Sequence, residues 1–112
     1  MDIEVSEIDG KLTCIRLAGR LDSPGVDRIE TRFTAAVVSQ QRHAVVDLSG
    51  VSFLASMGIR MLISSGRALD LKGSKMALYG ATDLVKTVLD HVALDQIIPV
   101  AATQREAIER LG

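Results

Sequence analysis

Ala44-Val45-Val46-Asp47-Leu48 is an almost unbroken apolar run with no polar alternation. A strand of that composition needs cover on both faces, as in a parallel sheet flanked by helices. Met76-Ala77-Leu78-Tyr79 is a second, shorter run of the same kind. Parallel neighbours require a crossover connection, which is right-handed in nearly all sheets. The two runs therefore confine the chain to layered α/β architectures.

The remaining segments fit that frame. Ile3-Glu4-Val5 and Leu12-Thr13-Cys14-Ile15-Arg16-Leu17 alternate apolar with polar residues, the period of half-buried strands. Asp9-Gly10 between them signals a tight turn and predicts an antiparallel hairpin. Ser23-Pro24 reads as an N-cap followed by proline at the first helical position, with Val26, Ile29, Phe33, Ala36 and Val37 as one apolar face. Ser49-Gly50 is expected to end the central strand. A helix follows from Ser56, carrying Ile59, Leu62, Ile63 and Leu69 on one face and stopping at Gly73. Thr82 is placed to cap a helix with Leu84, Val85, Val88, Leu89 and Val92. Ile97-Ile98-Pro99-Val100 reads as a last strand, its proline pointing to a sheet edge or a strand end. Thr103-Gln104-Arg105-Glu106 has the capping-box pattern and opens a final helix through Leu111. The expected fold is one α/β domain over residues 1–112: a mixed, mostly parallel sheet with an N-terminal antiparallel hairpin strand and about four helices.

Composition excludes several function classes. Thirteen Lys+Arg balance fourteen Asp+Glu, and the only aromatics are Phe33, Phe53 and Tyr79. A nucleic-acid reader would show a basic face or stacking aromatics. One cysteine, Cys14, leaves no intrachain disulfide or Cys-rich metal site, and His43 and His91 stand at no ligand spacing. No apolar run approaches the roughly 18 residues of a membrane span. The start Met1-Asp2-Ile3-Glu4 is acidic where a secretory signal is basic. The expectation is a cytoplasmic protein without metal or cofactor.

The motifs of catalysis are also missing. No phosphate-binding glycine loop of either common type is present. Gly50-Val51-Ser52-Phe53-Leu54 begins like a nucleophile elbow but lacks the second glycine. Ser52, Asp83 and His91 make a triad only by composition, and His91 is explained by its place at a helix C-terminus. The chain is expected not to be an enzyme.

One stretch carries more information: Val46-Asp47-Leu48-Ser49-Gly50-Val51-Ser52-Phe53-Leu54-Ala55-Ser56-Met57-Gly58-Ile59. It resembles the signature of the STAS domain, as in bacterial anti-sigma factor antagonists. There a strand ending in Asp-Leu-Ser runs into a Phe-hydrophobic-Asp-Ser loop and a glycine at a helix start. Gly19-Arg20-Leu21-Asp22 is similar to the family's Gly-x-Leu-Asp, and the order of elements agrees over nearly the whole chain.

The resemblance implies a partner-switching regulator of transcription, a bacterial signalling phosphoprotein. Unmodified, such a protein binds an anti-sigma factor that is itself a serine kinase and so frees the sigma factor. Phosphorylated at the position of Ser56, it lets go, and a phosphatase restores it. The implied partner surface comprises Asp22, Ala55, Ser56, Met57, Gly58 and Arg60. Ala55 departs from the family's acidic residue, and Met57 from its small one. The family also implies an alternative, a STAS subunit of a lipid-transporting ABC complex that is not phosphorylated. On residue type alone Ser56 has a second role, as N-cap of its helix. Asp22 likewise suits a turn or cap, and Arg60 and Arg67 project from the polar face of the same helix.

Overall fold

The computed structural model describes residues 1–39 and 41–111. Strands β1 (Asp2–Ile8) and β2 (Leu12–Leu21) form the hairpin. Its turn places Asp9 at φ 53° and Gly10 at φ 65°, and the Lys11 N–H donates to the Ile8 carbonyl at 3.0 Å. Two consecutive left-handed residues suit the twist of antiparallel strands, which is why Asp-Gly is effective there. Helix α1 (Ser23–Val38), strand β3 (Ala44–Leu54), helix α2 (Ser56–Leu71), strand β4 (Met76–Tyr79) and helix α3 (Asp83–His91) follow. A 3-10 turn at Leu94–Gln96 leads to the short strand β5 (Val100–Ala101) and helix α4 (Gln104–Leu111). The strands lie side by side in chain order, with β1 antiparallel to β2 and every other pair parallel.

Alternation along the central strands shows why residues 44–48 and 76–79 are nearly all apolar. Ala44, Val46 and Leu48 of β3, with Met76 and Leu78 of β4, enter the larger core. There they meet Phe33 of α1, Leu62 of α2 and Leu89 of α3. Val45, Ala77 and Tyr79 point the other way, into a smaller core closed by Ala107 and Leu111 of α4. Three helices thus cover one face of the sheet and α4 the other. Helix α4 buries only those two residues, whereas α1 buries Val26, Ile29, Phe33 and Val37 as well as Gly25. With less apolar area removed from water, α4 is held by the weaker attachment.

Three local expectations are corrected. Strand β3 does not end at Ser49-Gly50 but continues to Leu54. The register runs Arg16↔Asp47, then Ala18↔Gly50, and later Gly19↔Val51, then Arg20↔Phe53. One extra residue enters β3 at each step, so Ser49-Gly50 marks a bulge and not a stop. Beyond Asp47 the strand has lost β4 and pairs with β2 alone, which carries its end out past the sheet centre.

At the start of α1 the cap is Asp22, not Ser23. Asp22 is extended (φ −108°, ψ −171°), its carboxylate accepts the Gly25 N–H at 3.0 Å, and Pro24 falls inside the first turn. A carboxylate in that position satisfies a free helical donor. Finally, Ile97 and Ile98 precede the last strand. The Pro99 carbonyl accepts the Leu78 N–H at 2.9 Å at the sheet edge, where a residue without an N–H is tolerated.

The predicted caps further along hold. Thr82 Oγ1 accepts the Val85 N–H at 3.4 Å, and Thr103 Oγ1 accepts that of Glu106 at 3.2 Å. The Glu106 carboxylate reaches back to the Ala102 N–H at 3.4 Å instead of the Thr103 N–H of a complete box.

Candidate functional site

The ends of β2 and β3 are tied by one hydrogen bond, from the Ala55 N–H to the Leu21 carbonyl at 3.0 Å. It sets the beginnings of α1 and α2 next to each other at the carboxyl edge of the parallel strands, where ligands and partners of α/β sheets commonly meet the fold. Asp22 and Ser56, 34 positions apart in sequence, each follow immediately on a residue of that bond.

On the α1 side, the Asp22 carboxylate caps the helix and also pairs with Arg20 Nε at 3.1 Å. The Gly25 N–H holds its carboxyl below the ordinary carboxylate value, partial desolvation opposes this, and Arg20 adds to the lowering. The Arg20 guanidinium in turn lies over the Phe53 ring, 4.3 Å from its centroid. Arg20 and Phe53 are register partners beyond the second bulge, so the bulge brings the ring under the cation.

On the α2 side, Ala55 is the N-cap, extended at φ −109° and ψ 174°, and its methyl group caps nothing. Ser56 is the first helical residue and is exposed, so the capping role open to it in sequence falls to Ala55. Among the described residues the Ser56 hydroxyl has no hydrogen-bond partner. The first intrahelical bond runs from the Ile59 N–H to the Ala55 carbonyl at 3.1 Å. The N–H groups of Ser56, Met57 and Gly58 therefore precede the helical ladder, at the positive end of the helix dipole.

The six residues expected on the partner surface divide. Ser56 and Arg60 are exposed, while Asp22, Ala55 and Met57 are half-buried, Met57 against the larger core. Gly58 is buried, and a Cβ there would lie 2.7 Å from Leu21 Cγ, 2.8 Å from the Leu21 carbonyl and 2.9 Å from Leu54 Cδ1. Its lack of a side chain lets α2 pack closely onto the end of β2. Arg67 is exposed as expected but stands about 16 Å of helix rise beyond Ser56, away from this site.

Asp47 carries a role that its apolar setting concealed in the sequence. Its side chain is 8% exposed, and its carboxylate accepts the Ser49 N–H at 2.9 Å and Arg16 Nε at 3.3 Å. Burial pushes its pKa up, but the hydrogen bonds from the Ser49 hydroxyl and N–H, followed by Arg16, outweigh it and leave the carboxyl below its ordinary value. This carboxylate sits at the first bulge and fixes the path by which β3 leaves β4. Gly80 (φ +76°) makes room for it, since a Cβ there would lie 3.3 Å from Asp47 Oδ1. The one available signal was an acid inside an otherwise apolar strand.

Among the described residues no group of three His, Cys, Asp or Glu is placed to hold a metal ion. No helix among them is long and apolar enough to cross a membrane.

This β-β-αβαβαβα chain matches the STAS domain over residues 2–107 and belongs to that family. An anti-sigma F factor antagonist of Paenibacillus polymyxa is 27% identical over 112 residues, covering 99% of this chain and 95% of its own. A STAS domain anti-sigma factor antagonist of Planctomyces limnophilus superposes with a TM-score of 0.84 at 26% identity, covering 98% and 97%. The Bacillus protein SpoIIAA, in its phosphorylated form, has the same fold, with a TM-score of 0.71, 21% identity and coverage of 99% and 100%.

Proposed function

We propose that this protein is an anti-sigma factor antagonist that works by partner switching, with Ser56 as phosphoacceptor. The observation that carries the reading is Ser56 itself. It is an exposed serine with an unengaged hydroxyl on the uncapped first turn of α2, held beside Asp22 by the Ala55–Leu21 bond. Relatives that align over nearly the full chain are named anti-sigma factor antagonists, and SpoIIAA is known in both phosphorylated and unphosphorylated forms.

In this reading the partner is an anti-sigma factor with serine kinase activity. It docks on the surface made by Asp22, Ser56 and Arg60 and by the exposed parts of Ala55 and Met57. It transfers the terminal phosphoryl group of ATP to Ser56 Oγ, leaving ADP and releasing the hydroxyl proton. The phosphoserine brings about −1.5 to −2 charges. The free first-turn N–H groups and the helix dipole accommodate it without unfolding the domain. Ala55 in place of a carboxylate leaves the field beside Ser56 less negative, which favours retention of the phosphate. The same charge, buried against the partner, opposes docking, and a phosphatase restores binding. The protein is then a substrate and a binding partner without catalytic activity of its own, one STAS domain acting in the cytoplasm.

The test is a calorimetric titration of three proteins against the cognate kinase, with phosphate labelling in parallel. Ser56→Asp should bind at least about tenfold more weakly, equivalent to about 1.4 kcal/mol. It should stay fully folded, because an acid in the first helical turn is favoured. Ser56→Ala should bind like the wild type, lose no stability, since its hydroxyl caps nothing, and take no label. Equal binding by all three, or labelling that persists in Ser56→Ala, would favour the unphosphorylated transporter-subunit reading instead.

A further inference from the structure

At the far end of α2 from Ser56, a cavity of about 410 Å³ opens between α2, the start of β4, the segment before β5 and α4. Its floor is apolar. Met76 and Ile98 are each 3% exposed, while Ile97 stands 45% exposed beside them. Its rim is cationic, with Arg67 from α2, Lys75 from the loop before β4 and Arg110 from α4. Asp70 is the only acid on the lining, so the rim carries a surplus of two positive charges. Among the described residues none of the three cationic heads has a hydrogen-bond or ion-pair partner. Arg16, Arg20 and Arg42, by contrast, are paired with Asp47, Asp22 and Glu7.

The two halves of this lining select against single-property ligands. A bare phosphate would leave the floor in water, and a neutral hydrocarbon would leave the surplus of two positive charges without a counter-charge. Cavities of roughly 300–1,000 Å³ with an apolar wall and a few convergent polar groups are typical of small-molecule sites. Guanidinium groups are suited to planar, bidentate recognition of oxyanions. We infer that this cavity binds a small amphipathic anion, an apolar body bearing one carboxylate, sulfonate or phosphate group. About ten residues of helix, roughly 15 Å of rise, separate Gly66 at its edge from Ser56, so the site is distinct from the partner surface.

The test uses anilinonaphthalene sulfonate as the probe and phenylnaphthylamine, the same ring system without the anion, as its neutral counterpart. With the folded full chain at neutral pH, the sulfonate should give saturable one-to-one fluorescence and shift the amide resonances of Gly66, Met76 and Ile98. Arg67→Ala and Arg110→Ala should each weaken it by about tenfold, the loss expected for one charge-assisted hydrogen-bonded contact. Arg28→Ala, on exposed α1 surface, should leave it unchanged. All three sites are exposed, and circular dichroism confirms that each variant is folded. Several results would overturn the assignment: equal binding of the neutral compound, no effect of the two arginine substitutions, or displacement by inorganic phosphate at the probe's own affinity. So would shifts confined to Ile8, Ile108 and Leu111, which border a separate cavity of about 370 Å³.

Discussion

Replacing Gly58 with alanine sets two effects of known sign against each other. Alanine is favoured over glycine within a helix by about 1 kcal/mol. Against this, the new methyl group would lie 2.7 Å from Leu21 Cγ, 2.8 Å from the Leu21 carbonyl oxygen and 2.9 Å from Leu54 Cδ1. Leu54 Cδ1 is the end of a side chain and can give way, but Leu21 Cγ is the branch point of a fully buried one and the carbonyl is held by the Ala55 N–H. Overpacking a tight core typically costs about 1–3 kcal/mol. With an immovable atom among the contacts the upper part of that range applies, about 2–3 kcal/mol, and after the helical gain the expected net loss is about 1–2 kcal/mol. At about 4–8 °C per kcal/mol for a domain near this size, that lowers Tm by about 4–16 °C. Gly66, on the same helix, is the internal control: its Cβ would meet Ile98 Cδ1 at 3.0 Å and Cγ1 at 3.2 Å, the ends of a flexible side chain. Gly66→Ala should therefore stay within about 0.5 kcal/mol of the wild type, because the helical gain offsets a small adjustment. Thermal and urea melts of the two variants decide the matter. A Gly58→Ala protein as stable as Gly66→Ala would refute the packing argument.

The lowered pKa values of Asp22 and Asp47 give stability that is present above the ordinary carboxylate value near 3.8 and is lost as pH falls through their lower folded values. Asp47→Asn, which keeps the shape but loses the charge facing Arg16, should flatten that acid limb of a Tm-against-pH curve; an unchanged limb would assign the acid loss elsewhere. Tyr79 is the only tyrosine, and there is no tryptophan, so phenolate absorbance reports it alone. Burial, opposed by the hydrogen bond from Gln104 Nε2 at 3.0 Å, pushes it up to about 12, so the native titration should fall about two units above that of the unfolded chain. Stability then declines as pH rises from about 10 through about 12, and a native midpoint near 10 would show that the ring is not enclosed.

The periodicities alone determined the α/β class, the hairpin at Asp9-Gly10 and the helices started by Thr82 and Thr103, because each rests on contacts within a few residues. The resemblance of residues 46–59 to the STAS signature points to Ser56 from the sequence alone. Ser49-Gly50 misled because a bulge and a strand end share the same residue types; only pairing with β2 distinguishes them. Ser23 and Asp22 were both able to cap α1, and the backbone path out of β2 chose Asp22. The packing role of Gly58 is not legible in the sequence, because its neighbours Leu21 and Leu54 belong to two other strands. Asp47 and the Arg20–Phe53 pair stayed hidden for the same reason. Local sequence encodes which element forms and where it begins, whereas the space left for a side chain, or the partner offered to a charge, is set by segments distant in the chain.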